Sequence, residues 1–158
     1  MKHAILLVLS AFFATSVAAQ GVPENVLEDP HAVGPYEAVD TNLNDFLWLK
    51  RPVVIFADTP ADPRFKRQIE LLETRLDALI ERDVIVMVDT SPANPSDIRK
   101  KLRPRGFMMV LIGKDGEVEL RKPSPWDVRE ITRAIDKMPM RRQELKEKRE
   151  LQALELKN

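Results

Sequence analysis

Three stretches of the chain are apolar without polar alternation: residues 53–57, 84–88 and 107–112. Short uninterrupted runs of β-branched and aromatic residues are typical of strands covered on both faces of a sheet. Between the first two runs, apolar residues recur at helical spacing while charged residues fall on other faces: Phe65, Ile69, Leu72, Leu76, Leu79 and Ile80. The pattern predicts a strand–helix–strand unit with parallel strands and a right-handed crossover.

A tight hairpin turn is predicted at Asp115 and Gly116, because these residue types tolerate the backbone angles that such a turn requires. Residues 117–121 then alternate between charged and apolar, which predicts a strand with Val118 and Leu120 facing inward. Its outward charges suit a strand at the edge of the sheet, where charge deters pairing with another sheet.

Shorter helices are predicted around these strands. One covers residues 41–49 with Thr41 as its N-cap, and a second follows Pro95. The last core helix begins with Ser124 as its N-cap and Pro125 in its first turn. The buried stripe of this last helix is Val128, Ile131, Ile135 and Met138.

The first nineteen residues have the pattern of a secretory signal peptide, with a short polar start and an apolar run. Small residues at positions 17–19 predict cleavage between Ala19 and Gln20. The apolar run is shorter than the roughly 20 residues of a membrane span, so an uncleaved anchor is the less favoured alternative. We expect export, a periplasmic location in a Gram-negative cell, and no transmembrane segment in the mature protein.

The remaining chain divides into three predicted regions. Residues 20–40 contain scattered prolines and glycine without a period and are interpreted as an extended N-terminal arm. Residues 41–140 form the folded domain. Residues 141–158 are mostly charged and form a helical C-terminal tail, whose weak leucine stripe is more typical of a fraying end than of an interaction coil.

Composition excludes several function classes. The chain contains no cysteine, so thiol redox chemistry is excluded, and its 25 basic and 25 acidic residues give no case for nucleic-acid or membrane-surface binding. His31 is the single histidine beyond the signal peptide, which leaves no support for a metal cluster or a Ser–His triad. No cofactor is predicted. The basic segment 99–105 is interpreted as a solvated helix and loop, and Trp48 and Trp126 as packing residues.

Two segments resemble a bacterial family catalogued as domain of unknown function 4174. They are residues 111–116, LIGKDG, and residues 135–144, IDKMPMRRQE; residues 46–48, FLW, add support. The resemblance covers about residues 41–144. It implies a single α/β thioredoxin-like domain with a central mixed sheet of about four strands, in the order β-α-β, helix, β-hairpin, helix, and no established activity.

The same resemblance indicates what has changed at the first strand–helix junction. Peroxiredoxins carry a Thr-x-x-Cys-Pro pattern there, whereas residues 59–63 read Thr-Pro-Ala-Asp-Pro. A carboxylate cannot reach the sulfenic state, so peroxide reduction is lost. The position that holds a cis-proline in thioredoxins, just before the hairpin, falls at Met108.

Asp62 has two interpretations. The favoured one is an N-cap before Pro63 at the first helical position. The other places Asp62 with Asp58, Thr59 and Arg64 on a surface that binds a ligand or a partner. No catalytic residue and no metal ligands are predicted.

Three functions remain open from the sequence. The first is a non-redox binding or adaptor module of the cell envelope that recognises an unknown envelope protein. The second is a non-thiol enzyme or a small-ligand or anion-binding protein that uses the junction from Asp58 to Arg64. The third is an envelope stress or structural protein that assembles through its C-terminal tail. The sequence leaves the oligomeric state undetermined.

Overall fold

Five strands form one mixed sheet in the computed structural model, which describes residues 32–157. The strands are β1 Tyr36–Glu37, β2 Arg51–Phe56, β3 Val84–Asp89, β4 Met108–Ile112 and β5 Val118–Lys122. The helices are α1 Pro63–Glu73, α2 Leu76–Ile80, α3 Asp97–Leu102, α4 Val128–Asp136 and α5 Pro139–Glu155. The predicted signal peptide, its cleavage site and His31 lie outside the described residues.

The strand order is β1-β3-β2-β4-β5. Strands β1 and β2 both run parallel to β3, whereas β4 is antiparallel to β2 and β5 is antiparallel to β4. This order and these directions confirm the α/β fold with a thioredoxin-like mixed sheet. The sheet has five strands rather than about four. The additional strand, β1, lies in the predicted arm and is too short for its hydrophobic pattern to reveal it.

Both faces of the central strands are covered, as their uninterrupted apolar runs predict. Val53 and Ile55 of β2 face one core with α1 and α4, and Val54 and Phe56 face a second core with α3. Every residue of β2 and β3 is buried. The alternation of side chains along β2 therefore divides an apolar run between two separate cores.

The long periodic helix predicted between β2 and β3 is divided into α1 and α2. Arg75 leaves the helical region, with φ of −149°, and the Thr74 hydroxyl donates to the Leu71 carbonyl at 2.6 Å. The apolar stripe continues across the break, because Leu72 and Leu79 are both buried. Helical periodicity predicted the buried face of this segment, but it did not predict the break between α1 and α2.

The N-cap predicted at Thr41 is wrong. A short 3-10 turn, Leu43–Phe46, replaces the expected helix, and Asn42 caps it by accepting a hydrogen bond from the Asn44 amide at 3.0 Å. The Thr41 hydroxyl instead donates to the Glu37 carbonyl at 2.8 Å.

The N-cap predicted at Ser124 is also wrong. Helix α4 begins at Val128, capped by Asp127, which forms a reciprocal capping box with Glu130. The buried Gln68 exchanges two hydrogen bonds of 2.9 Å with the backbone of Trp126, which holds this segment outside the helix. The predicted buried stripe is confirmed for Val128, Ile131 and Ile135, and Met138 is also buried but lies beyond the end of α4, as the N-cap of α5.

The inward position predicted for Val118 is wrong, whereas Leu120 packs against the core. A bulge shifts the register so that Leu111 pairs with Leu120 but Ile112 pairs with Val118. Val118 therefore lies on the opposite face from Leu111, where it is 38% exposed.

A charge network closes the amino end of β2. Arg51 is 1% exposed, and its Nη2 lies 2.8 Å from Glu144 Oε1 on α5. Lys114 Nζ contacts the same oxygen at 3.0 Å and Asp83 Oδ2 at 2.7 Å, while Arg141 pairs with the other oxygen of Glu144 at 3.2 Å. These contacts join the first turns of α5 to the sheet. Burial alone would raise the pKa of Glu144, but hydrogen bonds from Arg51 and Lys114 lower it from 4.5 to about 2.

We expect Glu144→Gln to lower the free energy of unfolding by about 3 kcal/mol at pH 7, because buried Arg51 loses its charged partner. The folded pKa lies below the unfolded value, so ionised Glu144 stabilises the fold above about pH 4.5 and this contribution is lost as the pH falls toward 2. The difference from wild type should shrink across that range in urea denaturation. Glu150→Gln on the exposed part of α5 is the matched control. A loss independent of pH would contradict the charge interpretation.

Candidate functional site

The loop between β2 and α1 is the junction at which redox-active thioredoxin-like proteins carry their thiol. Asp58 and Thr59 are exposed at its start. The Thr59 hydroxyl accepts a hydrogen bond from the Ala61 amide at 3.3 Å, and the Thr59 carbonyl accepts one from the Asp62 amide at 3.2 Å. Thr59 thus shapes the loop that presents Asp62 to the helix.

Asp62 is the N-cap of α1. Its Oδ1 accepts a hydrogen bond from the Arg64 amide at 2.7 Å, and Pro63 occupies the first helical position. The Arg64 guanidinium turns back on the same carboxylate, with Nε 3.3 Å from Oδ1 and Nη2 3.0 Å from Oδ2. Hydrogen bonds from the Arg64 side chain, and then from its amide, hold the pKa of Asp62 below its usual range. Such a carboxylate stays ionised near neutral pH and is a poor general acid.

The structure brings two of the four predicted site residues, Asp58 and Arg64, close to Gly106, and Asp62 is joined to them through Arg64. A Cβ on Gly106 would lie 3.7 Å from Asp58 Oδ2 and 3.9 Å from Arg64 Nη2. The Arg64 guanidinium also lies 5.5 Å from the centroid of the Phe107 ring. The Arg64 side chain is 52% exposed, but its guanidinium is paired with the Asp62 carboxylate and lies over an aromatic ring.

A buried arginine, Arg99, holds the backbone that leads into the junction. Arg99 Nη2 donates to the carbonyls of Ala57 and Asp89 at 2.7 Å each, and Arg99 Nε donates to Asp89 Oδ1 at 2.9 Å. The Ser96 hydroxyl donates to the other Asp89 oxygen at 2.6 Å. Burial raises the pKa of Asp89, but these hydrogen bonds and one from the Ser91 amide outweigh it and lower the pKa. The carboxyl ends of β2 and β3 are thus held together.

The solvated position expected for the basic segment is wrong for Arg99, which is 8% exposed. Its spacing was the available signal, since Arg99 precedes the buried Leu102 by three residues and so shares its face of α3. The two lysines that follow Arg99 within α3, Lys100 and Lys101, are exposed as expected.

Met108 occupies the position at which thioredoxins carry a cis-proline. It pairs with Phe56 of β2, and within residues 32–157 the one cis peptide bond is Gly34–Pro35. The described part of the chain contains no group of three or more His, Asp or Glu residues arranged to hold a metal ion. None of the helices within residues 32–157 is long and apolar enough to cross a membrane.

Comparison with known proteins identifies a family. Residues 42–144, more than half of the chain, match the family described as domain of unknown function (DUF4174). The coiled-coil domain-containing protein 80 of Danio rerio is 29% identical over 138 aligned residues, which cover 68% of this chain and 16% of that protein. The chain thus spans about one sixth of this relative.

Comparison with solved structures gives partial matches. The reduced 2-Cys peroxiredoxin of Plasmodium vivax is 23% identical with a TM-score of 0.49, covering 61% of this chain and 81% of that chain. A chloroplastic thioredoxin z is 21% identical with a TM-score of 0.43, covering 54% and 75%. Thioredoxin peroxidase I of Plasmodium yoelii is 24% identical with a TM-score of 0.44, covering 61% and 76%. The fold assignment stands on the strand order and directions described above.

We expect Asp62→Ala to lower the unfolding midpoint modestly, because the amides at the start of α1 lose their acceptor, and Asp62→Asn to retain most of the stability. The lowered pKa of Asp62 means that its stabilising charge is lost as the pH falls, so wild type should approach the stability of Asp62→Asn at acid pH. Thermal unfolding followed by circular dichroism measures both. Asp58→Ala, at an exposed position in the same loop, should leave the midpoint unchanged; equal effects of both substitutions would refute the cap assignment.

Proposed function

The chain belongs to the DUF4174 family, whose description assigns no activity, and from this premise we propose that it is an exported, non-redox, thioredoxin-like domain that acts by binding another protein of the cell envelope. The engagement of Asp62 carries the proposal. At the position where redox relatives hold a reactive thiol, this carboxylate is bound by the helix amide and by the guanidinium of Arg64. The junction therefore presents a satisfied structural group in place of a nucleophile.

Export is the second part of the proposal, and it is supported by the apolar run and small-residue site in the first nineteen residues. An exported protein without cysteine has no disulfide to stabilise it. The two packed cores and the buried arginine contacts serve that purpose in this chain.

A small-ligand or anion site at the junction gains less support. An anion would have to displace the Asp62 carboxylate from Arg64 and approach a loop that also carries the exposed Asp58. Two carboxylates before the helix N-terminus offset the positive potential that would attract an anion there.

Assembly through the tail also gains less support. Arg141 and Glu144 belong to the charge network that stabilises the domain, whereas residues 146–157 are exposed along their whole length. Of the leucines in this exposed part, Leu151 and Leu154 are three residues apart and share a face, but Leu156 does not continue it, so the spacing gives one step of a helical seam and no repeat. A truncation that tests the tail must therefore begin beyond Glu144.

The full chain, expressed in a Gram-negative host, should yield a periplasmic product that begins at Gln20. Intact-mass measurement of the periplasmic and membrane fractions tests this expectation. Val17→Leu with Ala19→Leu should block cleavage by enlarging the residues at the cut site. A full-length product in the cytoplasmic fraction would refute export.

The mature chain, tagged at its C-terminus, should capture a specific protein from an envelope extract and should not capture it from a matched cytoplasmic extract. A junction variant that combines Asp58→Asn and Arg64→Gln reports whether this surface takes part. A variant truncated after Glu147 reports on the tail. Absence of any envelope protein that depends on the folded domain would refute the binding function.

A further inference from the structure

Trp48 is held on the surface in a backbone conformation that its side chain disfavours. It is 65% exposed, and its φ is +66°. Left-handed backbone is rare for bulky residues and is normally assigned to glycine or asparagine. Its exposure corrects the expectation that Trp48 is a packing residue. Trp126, by contrast, is half-buried against the core as expected.

The local fold explains why residue 48 has a left-handed backbone, but it does not explain why this residue is a tryptophan. The Phe46 carbonyl accepts hydrogen bonds from the Leu49 and Lys50 amides at 3.1 and 3.0 Å, which ends the 3-10 turn. Asparagine or glycine would satisfy this geometry with less strain. A strained, exposed aromatic residue is an observation that favours a functional role for the side chain.

The hairpin turn between β4 and β5 supports this segment. The Trp48 amide donates to the Lys114 carbonyl at 2.7 Å, and the Leu47 side chain lies so close to Gly116 that a Cβ there would be 2.8 Å from Leu47 Cδ2. Leu49 is 51% exposed beside Trp48 in the chain, and Val118 is exposed at the start of β5. We call this region the turn face, defined by Trp48, Leu49 and Val118 with Asp115, Glu117 and Glu119.

The turn face carries uncompensated negative charge. Asp115, Glu117 and Glu119 are exposed, and none of them forms an ion pair with another residue of the described range 32–157. The cation of the same turn, Lys114, is directed inward to Asp83 and Glu144. The turn to which the Trp48 backbone is bonded thus carries three exposed carboxylates, of which Asp115 and Glu119 both lie close to Gly113, while its own lysine is directed inward.

A cation already lies over the other tryptophan of the domain. Lys122 Nζ is 4.1 Å from the ring centroid of Trp126, and Arg64 and Arg99 lie over Phe107 and Phe56. Trp48 has no such cation within residues 32–157. An exposed indole whose backbone is bonded to a turn with three exposed carboxylates offers a ring face and counter-charges to a basic segment that carries more than one cation.

We propose that the turn face binds a basic segment of another polypeptide, with an arginine or lysine side chain over the Trp48 indole and neighbouring cations on Asp115, Glu117 and Glu119. This inference rests on the proposed binding function and names its surface and the chemistry of its partner. Leu49 and Val118 supply apolar contact next to the indole, since interface anchors combine aromatic area with a polar rim. Anionic lipid and nucleic acid are disfavoured by the same carboxylates.

Isothermal titration of the mature chain with a short amidated peptide of alternating Arg and Leu tests the proposal, with a peptide of alternating Glu and Leu as the control. We expect saturable binding of the basic peptide that weakens as salt rises. Trp48→Asn should weaken binding by about tenfold or more, and Trp48→Phe should retain most of it. Glu117→Gln with Glu119→Gln should also weaken it. Val39→Ala, at an exposed apolar position elsewhere, is the matched control for binding.

Thermal unfolding of Trp48→Asn separates binding from folding. The midpoint should stay the same or rise, because asparagine tolerates the left-handed backbone. A large fall would identify Trp48 as a packing residue and overturn the proposal, as would basic-peptide binding that ignores Trp48→Asn or the absence of binding. Sedimentation that shows self-association dependent on Trp48 would identify a second copy as the occupant and would also overturn it. Envelope capture that survives Trp48→Asn would leave the binding function standing and refute the turn face alone.

Discussion

A buried guanidinium lies at each end of the central strand β2. Each of these two charges needs partners, and the elements that supply the partners are held in place by the contacts. Arg51 at the amino end is paired with Glu144 of α5, and Arg99 of α3 holds the carbonyls of Ala57 and Asp89 at the carboxyl end. A charge buried this deeply persists only with partners, because removal from water costs several kcal/mol per ion. Helices α3 and α5 are therefore fixed relative to the strand that pairs with both β3 and β4.

The same arrangement separates the junction of β2 and α1 from the proposed binding surface. The junction of β2 and α1 lies at the carboxyl end of the strand, where Asp62 engages the helix and Arg64. The turn face lies by the hairpin at the amino end, where Trp48 is bonded to the turn through Lys114. A helix cap at the position where redox relatives carry a thiol leaves the opposite end of the sheet available for the proposed recognition.

Strands and buried helix faces were predictable from the sequence because they depend on burial. Helix caps, which depend on the choice of one hydrogen-bond partner among several, were less predictable. The apolar runs located β2, β3 and β4, and the stripe of α4 was placed correctly. The caps at Thr41 and Ser124 were placed wrongly because several polar residues in each segment can cap a helix. Which of them does so depends on distant contacts, such as those of Gln68 with Trp126. The cap at Asp62 was predictable because Pro63 marks the first helical position.

The sequence by itself determined the order of strands β2 to β5 and the buried faces of the helices between them, the absence of thiol chemistry and the capping chemistry available to Asp62, because these follow from residue type and spacing along the chain. Tertiary structure alone decided the remaining features. It buried Arg99, paired Arg51 with Glu144 across 93 positions of sequence, and turned Val118 outward through a bulge. It also placed the exposed Trp48 against the hairpin turn. These features depend on contacts between residues that are far apart in the sequence. Neither periodicity nor composition shows which distant residues will be in contact.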